Sequence, residues 1–187
     1  MIQCFIAKCN DIKLQRYYSK ELLRYSIKSV FKVEIEDEAV MRNQYGKPSF
    51  KNNEHIKFNI SHCDGLIACA VGLEEMGVDV ENIRSFDDYV VIRVCNMKEI
   101  NDIYSSHDSK RTFFTYWTMK ESLGKALGVG LHYPLRENEF IKNGDEYLCN
   151  YEGLKIKNYE IDNKFILSIC TDKNEEIILR GVNIDGR

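Results

Sequence analysis

Two apolar runs joined by Asp64-Gly65 constrain the fold of this sequence more than any other stretch. Residues 58–62 (Phe-Asn-Ile-Ser-His) come before the dipeptide, and residues 66–71 (Leu-Ile-Ala-Cys-Ala-Val) follow it. Asp-Gly between two strand-like runs is a strong β-hairpin signal. After one more turn, residues 76–81 alternate apolar and acidic side chains, which predicts a third strand of the same meander. The centre of the chain therefore predicts an antiparallel sheet.

The stretches on either side of this meander show helical periodicity. Apolar residues recur every three or four positions from Asp11 to about Lys32, over 86–106 and over 109–127. This is the spacing of one helix face, so three helices are predicted. Residues 36–57 are polar and contain a Gly-Lys-Pro turn signal, which predicts a loop.

Short strands are predicted towards the two ends of the chain. They cover 1–8, 147–154, 154–161 and 165–170, with 177–179 as a candidate final strand. The resulting order, β, α, loop, βββ, α, α, βββ, favours an α+β fold over a parallel βαβ array. We expect one globular unit, 1–187, made of two similar halves, about 1–84 and 85–187, with helices packed on small antiparallel sheets.

The composition argues against several classes of protein. A net charge of −3 disfavours general nucleic-acid binding, which needs a basic field. The seven cysteines are odd in number and form no Cys-x-x-Cys pair, so reduced thiols are expected rather than a disulfide framework or a structural zinc site. The start lacks the charged leader and apolar core of a signal peptide, and no apolar run has the length of a membrane span. We therefore expect a cytoplasmic protein without a membrane partner.

Two acidic residues on the third strand are candidates for metal binding. Because side chains alternate along a strand, Asp79 and Glu81 share the face opposite Val78 and Val80. Neighbouring carboxylates repel each other unless a cation lies between them. An exposed acidic edge is the simpler interpretation, and a hard divalent cation such as Mg²⁺, completed by water and phosphate oxygens, is the functional one.

The predicted helix over 109–127 contributes a second candidate pair. Glu121 and Lys125 are four residues apart and lie on one helix face. Taken alone, they are typical of a surface ion pair that stabilises a helix by a few tenths of a kcal/mol.

Further cations and hydrogen-bond donors are spread along the first half of the chain. Ser61 and His62 lie where a strand meets its turn, and Lys47 lies in the Gly-Lys-Pro turn, so each is able to contact a phosphate. There is no evident Asp-His-Ser set that would indicate a hydrolase. The polar side of the first helix carries cations that are usually solvated but would also suit an anionic ligand: Lys13, Arg16 and Lys20.

The order and spacing of these motifs identify a family resemblance. The motifs are Tyr-Gly-Lys-Pro-Ser at 45–49, Phe-Asn-Ile-Ser-His at 58–62, Gly-Val-Asp-Val-Glu at 77–81 and Trp-x-x-Lys-Glu-x-x-x-Lys-Ala at 117–126. Together they resemble the 4′-phosphopantetheinyl transferases, in particular the monomeric surfactin-synthetase-activating (Sfp-like) type, over about residues 40–140.

This resemblance implies a reaction and a fold. The reaction is transfer of 4′-phosphopantetheine from coenzyme A to a serine of an apo acyl, peptidyl or polyketide carrier protein, with release of 3′,5′-ADP. It is a post-translational modification used in lipid or secondary-metabolite biosynthesis, with Mg²⁺, or Mn²⁺ in its place, as the metal. The fold would be that of the 4′-phosphopantetheinyl transferases, and the length and two-half layout favour a monomer.

The resemblance also implies roles for individual residues. The metal ligands would be Asp79, Glu81 and Glu121. Glu121 would be the base for the carrier serine, directly or through a water, and Lys125 would contact the transferred phosphate. The residues implied to bind coenzyme A are Lys47, Ser61, His62 and Lys125, with Lys13, Arg16 and Lys120 as further candidates.

Two other functions stay open at this point. One is a homologue that binds coenzyme A or a carrier protein with little or no catalytic activity, although the intact acidic residues and Lys125 argue against it. The other is a different Mg²⁺-dependent nucleotide enzyme, such as a pyrophosphohydrolase. Neither the identity of the carrier protein nor a role for residues 141–187 follows from the motifs.

Overall fold

The first sheet forms around the predicted hairpin. The computed structural model describes residues 1–35 and 40–184 of the chain. The elements of its first part are β1 (Ile2–Cys9), α1 (Gln15–Phe31), β2 (Val40–Arg42), β3 (Pro48–Phe50), β4 (Lys57–Cys63) and β5 (Gly65–Gly72). β4 and β5 pair antiparallel with Cys63 opposite Leu66, which confirms the hairpin. Gly65 has a φ of 98°, the left-handed region that glycine adopts without strain.

A second group of elements builds the other sheet and the remaining helices. They are β6 (Met76–Asn82), α2 (Asp88–Val94), α3 (Met97–Ser105), α4 (Ser109–Leu127), β7 (Phe140–Asn143), β8 (Glu146–Cys149), β9 (Leu154–Ile161), β10 (Phe165–Asp172) and β11 (Ile177–Gly181). Short 3₁₀ turns at 130–132 and 135–137 connect α4 to β7. The predicted α+β class is confirmed.

Each sheet has a helix packed on it. The first sheet has the order β11-β1-β5-β4, with β1 antiparallel to β5 and parallel to β11. Helix α1 covers one face of this sheet, where Leu22 and Ile27 pack with Phe5 and Phe58. The second sheet has the order β6-β10-β9-β8-β7, and α4 packs across β6 and β10. Burial of these apolar faces is the main stabilising contribution of the fold.

The prediction that β6 is the third strand of the first meander is wrong. β6 pairs antiparallel with β10 in the second sheet, with Asp79 opposite Ser168. On the side of β6 that faces β4, backbone N–H groups donate to side chains of β4 instead of to the backbone of a paired strand. The backbone N–H of Val78 donates to Asn59 Oδ1 at 2.9 Å, and that of Val80 donates to Ser61 Oγ at 3.3 Å. The two sheets therefore meet along a seam of side-chain hydrogen bonds.

The predicted division into halves, about 1–84 and 85–187, stays a prediction. The sheets do not follow it strictly, because each contains one strand from the other part of the sequence. β6 belongs to the sheet built mainly by β7–β10, and β11 lies beside β1.

Several helix and loop boundaries differ from their predictions. The predicted helix over 86–106 is two helices, since Asn96 caps α3 in a capping box with Glu99 and the chain is extended at the cap. The first helix begins at Gln15 rather than Asp11. The predicted loop over 36–57 contains the small β2–β3 hairpin, while residues 36–39 lie outside the described ranges.

The C-terminal strands also differ in detail from the prediction. The strand predicted over 147–154 ends at Cys149, and a turn separates it from β9. The candidate strand at 177–179 is present as β11. All seven cysteines are free thiols, as expected. No helix within the described part of the chain is long and apolar enough to cross a bilayer.

The contact between α4 and β6 is unusually close and depends on glycine. A Cβ atom on Gly77 would lie 1.9 Å from the carbonyl oxygen of Ser122 and 2.4 Å from the backbone nitrogen of Ala126. Because Gly77 carries no side chain, the strand lies directly against the helix backbone. This approach brings the residues after Gly77 beside the last two turns of α4.

Candidate active site

A cavity of about 320 Å³ lies where β4, β6 and α4 meet. Its lining includes six residues singled out from the sequence: Ser61, His62, Asp79, Glu81, Glu121 and Lys125. The first two come from the end of β4, the next two from β6 and the last two from α4. The fold therefore gathers three separate motifs around one small space.

Asp79 is the most buried charged group of this cavity, with 5% of its surface exposed. Its Oδ1 accepts hydrogen bonds from Lys125 Nζ at 2.7 Å and from Ser61 Oγ at 2.9 Å. Its Oδ2 is buried and has no hydrogen-bond partner among the described residues. A buried carboxylate oxygen without a partner is costly, so this atom is available for a cation.

Lys125 is held in place by three acceptors. Besides Asp79, its ammonium group donates to the carbonyl oxygen of Val78 at 3.0 Å and to Ser61 Oγ at 3.1 Å. Ser61 is therefore fully engaged by Asp79, Lys125 and the backbone of Val80. In this arrangement Ser61 fixes the neighbouring charges, and its predicted contact with coenzyme A stays a prediction.

Glu121 is in an environment that favours its neutral form. Burial raises the pKa of Glu121 to about 7, with Asp79 and Glu81 adding to the rise and Lys125 opposing it. A carboxyl group with a pKa near 7 is able to accept and release a proton close to neutral pH, which is the requirement for general acid–base catalysis. Perturbation of this kind is also typical of functional sites.

Glu81 has a cationic neighbour that the sequence reasoning missed. Arg84 Nη1 lies 2.6 Å from Glu81 Oε2 and donates to the carbonyl oxygen of Asn82 at 3.1 Å. Its guanidinium lies 4.7 Å from the ring centroid of Phe114 on α4. The available signal was a cation three residues beyond the acidic pair, at the end of a strand.

The three acidic residues do not form a ready-made ligand set. Within residues 1–35 and 40–184, no three acidic, thiol or imidazole groups lie close enough together to hold a metal ion. Asp79 is turned towards Lys125 and Glu81 towards Arg84, so a shared cation would require these side chains to rotate. Metal binding by Asp79, Glu81 and Glu121 stays a prediction.

A larger cavity of about 850 Å³ adjoins the small one and shares Ile60, His62, Glu121 and Lys125 with it. It extends between α1, the β2–β3 hairpin and the end of α4. Among the lining residues that the structure describes, six are cationic and only Glu121 is acidic; the cations are Arg16, Lys20, Arg24, Arg42, Lys47 and Lys125. Such a concentration of positive charge suits a ligand with several phosphate groups.

The three cations near the N-terminus that were candidates for ligand binding do not all line the large cavity. Arg16 and Lys20 line the large cavity, whereas Lys13 does not. The sequence reasoning missed Arg24 and Arg42, which do line it. Arg24 lies one helical turn beyond Lys20, so the helix periodicity contained the signal. Arg42 belongs to a stretch predicted to be a loop, and its direction could not be read from the sequence.

The position of Lys120 does not support its predicted contribution to coenzyme A binding, which stays a prediction. Lys120 is fully buried and lines neither cavity. Its ammonium lies 2.9 Å from Glu99 Oε1 and donates to the carbonyl oxygen of Leu135 at 2.7 Å. Successive helix residues point about 100° apart, so Lys120 faces α3 while Glu121 faces the cavities. Burial also raises the pKa of Glu99.

Lys47 lines the large cavity, as predicted, and is anchored at its wall. Its ammonium pairs with Glu75 and donates to the carbonyl oxygen of Ala126 at 2.8 Å. His62 is exposed and lines both cavities. The structure thus brings Lys47, His62 and Lys125 to one continuous surface.

Comparison with known proteins places the chain in a family. A model of the 4′-phosphopantetheinyl transferase superfamily matches residues 75–175, which include β6 and α4. The 4′-phosphopantetheinyl transferase Sfp of Bacillus subtilis is 27% identical over 183 residues, covering 89% of this chain and 82% of the relative. The 4′-phosphopantetheinyl transferase gsp of Aneurinibacillus migulanus is 31% identical over 144 residues, covering 75% of this chain and 60% of the relative.

Among solved structures, the Thermotoga maritima holo-[acyl-carrier-protein] synthase is similar over 55% of this chain and 64% of its own, with a TM-score of 0.45 and 16% identity. On the match to the family model, the chain belongs to the 4′-phosphopantetheinyl transferase superfamily. The resemblance inferred from the motifs is confirmed, and the protein is an enzyme of the phosphopantetheinyl transferase class.

Proposed function

We propose that this protein transfers the 4′-phosphopantetheine group of coenzyme A to a serine of an apo acyl, peptidyl or polyketide carrier protein, with release of 3′,5′-ADP. The observation that carries the proposal is the joining of the two cavities at Glu121 and Lys125. A cationic space large enough for a phosphorylated ligand meets a small acidic space at the two residues best suited to proton and phosphoryl transfer.

In the proposed reaction the transferred group passes directly from coenzyme A to the serine, without a covalent bond to the enzyme. The serine oxygen forms a bond to the phosphorus that carries the pantetheine, the bond from that phosphorus to the 3′,5′-ADP oxygen breaks, and the serine proton leaves. Phosphoryl transfer of this kind is catalysed mainly by positioning and by charge neutralisation.

Glu121 and Lys125 have different roles in this reaction, the first in proton transfer and the second in stabilising charge. Glu121 accepts the serine proton, directly or through a water; burial raises its pKa to about 7, and a cation bound beside it would lower that pKa again. Lys125 supports the negative charge that develops on the departing phosphate. Its ammonium is held by Asp79 and Val78, so it is fixed at the junction of the two cavities.

The oxygens at the small cavity are of the type that a magnesium ion prefers, although Asp79 and Glu81 would have to rotate to share one. Carboxylate oxygens are the ligands that Mg²⁺ prefers, and Asp79, Glu81 and Glu121 supply them. The partnerless Oδ2 of Asp79 is a further observation in favour of a cation there. When bound, Mg²⁺ would neutralise the charge on the pyrophosphate of coenzyme A, and Mn²⁺ would suit the same oxygens.

The cationic cavity supplies the binding of coenzyme A. Lys47 and His62 line its wall near Lys125, and Arg16 lies on the side formed by α1. Lys20, Arg24 and Arg42 extend the same positive surface. These side chains would hold the phosphates of coenzyme A while the pantetheine reaches Glu121. The monomeric state, the cytoplasmic location and the two-half organisation stay predictions from the sequence.

One observation favours the second candidate function, a binding homologue with little or no activity. The acidic residues are turned towards Lys125 and Arg84 rather than arranged around a common point. The test is therefore intact-protein mass spectrometry of an apo carrier protein incubated with this protein, coenzyme A and Mg²⁺. A mass gain of one phosphopantetheine that EDTA abolishes would establish the transfer.

The same experiment separates the alternatives. Coenzyme A binding without any mass gain, across fatty-acid, polyketide and peptide-synthetase carriers, would support the binding homologue. Breakdown of coenzyme A in the absence of a carrier would support a pyrophosphohydrolase. A Glu121→Gln variant is the matched control, because it keeps the size of the side chain and removes the base.

A further inference from the structure

The tip of the β2–β3 hairpin is organised by a single amide side chain, that of Asn43. Its Oδ1 accepts hydrogen bonds from the backbone N–H groups of Tyr45 and Lys47, each at 2.9 Å. Its own backbone N–H donates to the carbonyl oxygen of Lys47 at 3.0 Å. Asx side chains commonly close turns in this way. Here the closed turn determines where the Lys47 side chain leaves the backbone.

The other end of the same amide reaches helix α4. Asn43 Nδ2 donates to the carbonyl oxygen of Gly128 at 2.9 Å, and Lys47 Nζ donates to that of Ala126 at 2.8 Å. The last carbonyl groups of a helix have no partners within the helix, so donors from elsewhere stabilise its end. The hairpin tip supplies two such donors to α4.

Gly128 makes this close approach feasible. It caps α4 with a φ of 73°, a left-handed conformation that favours glycine. A Cβ atom at this position would lie 3.2 Å from Lys47 Cδ and 3.3 Å from Asn43 Nδ2. A side chain here would therefore push the hairpin tip away from the helix.

Lys125 belongs to the same last turn of α4. Its backbone carbonyl oxygen accepts from the N–H of Gly128 at 3.2 Å, and its ammonium is fixed by Asp79. Lys47 and Lys125 both line the large cavity. Since one lysine is on the hairpin and the other on the helix, their relative position depends on the bonds that join the two elements.

We propose that Asn43 is a positioning residue which sets Lys47 relative to Lys125, so that the two ammonium groups engage the phosphates of one ligand together. The inference rests on the proposed function, because the ligand it concerns is coenzyme A. It assigns to Asn43 an effect on coenzyme A affinity that is transmitted through Lys47. Simple capping of α4 by Asn43 would change stability without this dependence on Lys47.

The Asn43→Asp variant separates the two ends of the side chain. It keeps an oxygen that accepts from Tyr45 and Lys47, and it replaces the donor at Gly128 by an oxygen that repels the carbonyl group. Gln44→Asp is the matched control, since it adds the same charge to the next, exposed position of the loop. The affinity for coenzyme A is measured by calorimetry for both variants, with thermal melting as the check of folding.

We expect Asn43→Asp to weaken coenzyme A binding about five- to tenfold, the loss typical of one hydrogen bond replaced by an unfavourable contact. Gln44→Asp should change the affinity by less than about twofold, because an exposed charge is screened by solvent. Equal affinities for Asn43→Asp and the unmodified protein would overturn the inference. An equal loss in Gln44→Asp would overturn it as well, by showing that only the added charge matters.

A double-mutant cycle tests whether the effect passes through Lys47. If Asn43 acts by placing Lys47, Asn43→Ala combined with Lys47→Met should bind coenzyme A no more weakly than Lys47→Met alone. Additive losses would contradict the positioning role while leaving the proposed function intact. If the unmodified protein neither binds coenzyme A nor modifies a carrier, the proposed function fails, and the inference fails with it.

Discussion

Two faces of helix α4 carry two ion pairs of opposite character. Towards α3, Lys120 and Glu99 are sealed from solvent at 2.9 Å, and the ammonium has a further carbonyl acceptor. Towards β6, Lys125 and Asp79 form a pair at 2.7 Å beside two cavities, and one oxygen of Asp79 has no partner among the described residues. In the first pair the opposite charges lie together inside the protein, although Glu99 Oε1 makes no hydrogen bond among the described residues either. The second pair differs in having open space beside its unsatisfied Asp79 oxygen, which is a condition for binding a ligand.

The largest expected effect is on the cavity face. Glu121→Gln should lower the rate of carrier modification by about 10³-fold, within the range for loss of a general base. The free energy of unfolding should not fall, because burial raises the pKa of Glu121 and so disfavours its charged form in the folded protein. The checks are carrier modification by mass spectrometry and denaturant unfolding. Near-normal turnover would remove Glu121 from the catalytic role.

On the face of α4 towards α3, a substitution should lower stability rather than turnover. Lys120→Met leaves Glu99 buried without its partner, which should reduce the free energy of unfolding by about 3–5 kcal/mol. The double variant Lys120→Met/Glu99→Gln should recover much of this loss, since Gln retains the capping interaction with Asn96. Denaturant unfolding measures both. A stable Lys120→Met protein with weakened coenzyme A binding would show that Lys120 serves the ligand after all.

The loss of unfolding free energy in Lys120→Met should depend on pH in one definite direction. Burial raises the pKa of Glu99 in the folded protein, and removing the lysine should raise it further. A raised folded-state pKa favours folding below the ordinary glutamate pKa of about 4.3 and loses that contribution as pH rises through the raised value. The deficit of Lys120→Met should therefore be small near pH 4 and complete near pH 8. A deficit that grows on acidification would contradict a buried, uncompensated Glu99.

A smaller effect is expected where β6 meets α4. Gly77→Ala places a methyl group against the backbone of Ser122 and Ala126, and relieving that overlap should reduce the free energy of unfolding by about 1–3 kcal/mol. Because Asp79 follows two residues later, the same shift should lower turnover under conditions where the protein is folded. Gly181→Ala is the control, since a Cβ there meets nothing within 4 Å. Equal stability and turnover in both variants would show that the close approach is unimportant.

The smallest expected effect concerns Arg84, the cation that would compete with Mg²⁺ for Glu81. Arg84→Gln removes a cation from Glu81, so Mg²⁺ should bind about two- to fivefold more tightly, in line with the modest strength of exposed ion pairs. Calorimetric titration with Mg²⁺ alone measures the change, and Arg93→Gln, an exposed arginine on α2, controls for net charge. Unchanged or weaker binding in Arg84→Gln would indicate that Glu81 does not hold the metal.

The sequence predicted what depends on local pattern. Asp64-Gly65 and the alternation around it were sufficient for the β4–β5 hairpin, and the spacing of Asp79, Glu121 and Lys125 within family motifs identified three residues of the cavity. The partner of β6 could not be predicted, because alternation defines a strand but not the strand beside it. Gly77 carried part of that information, since it permits the contact with α4.

The errors within helices have a similar cause. Lys120 is a cation in a family motif, but only the packing of α3 shows that it points away from the ligand cavities. The break before α3 did have a local signal, because Asn96 and Glu99 have the spacing of a capping box. Asn43 donates to Gly128, which is distant in sequence, and Arg84, although close to Glu81 in sequence, also contacts the distant Phe114. Such contacts follow from the fold and not from a motif.

The exchange of strands between the two sheets has a consequence for how the chain folds. β1 pairs with β11 along Ile2 to Ile6 and Ile177 to Gly181, so the first sheet is incomplete until residue 181 has been synthesised. β6 in turn completes the second sheet from the earlier part of the chain. Pairings between such remote segments raise contact order and slow folding. Neither sheet is a self-sufficient folding unit, so we expect both sheets to melt in one cooperative transition. We also expect that deletion of β11 would weaken the candidate active site, although β11 contributes no side chain to the lining of the small cavity.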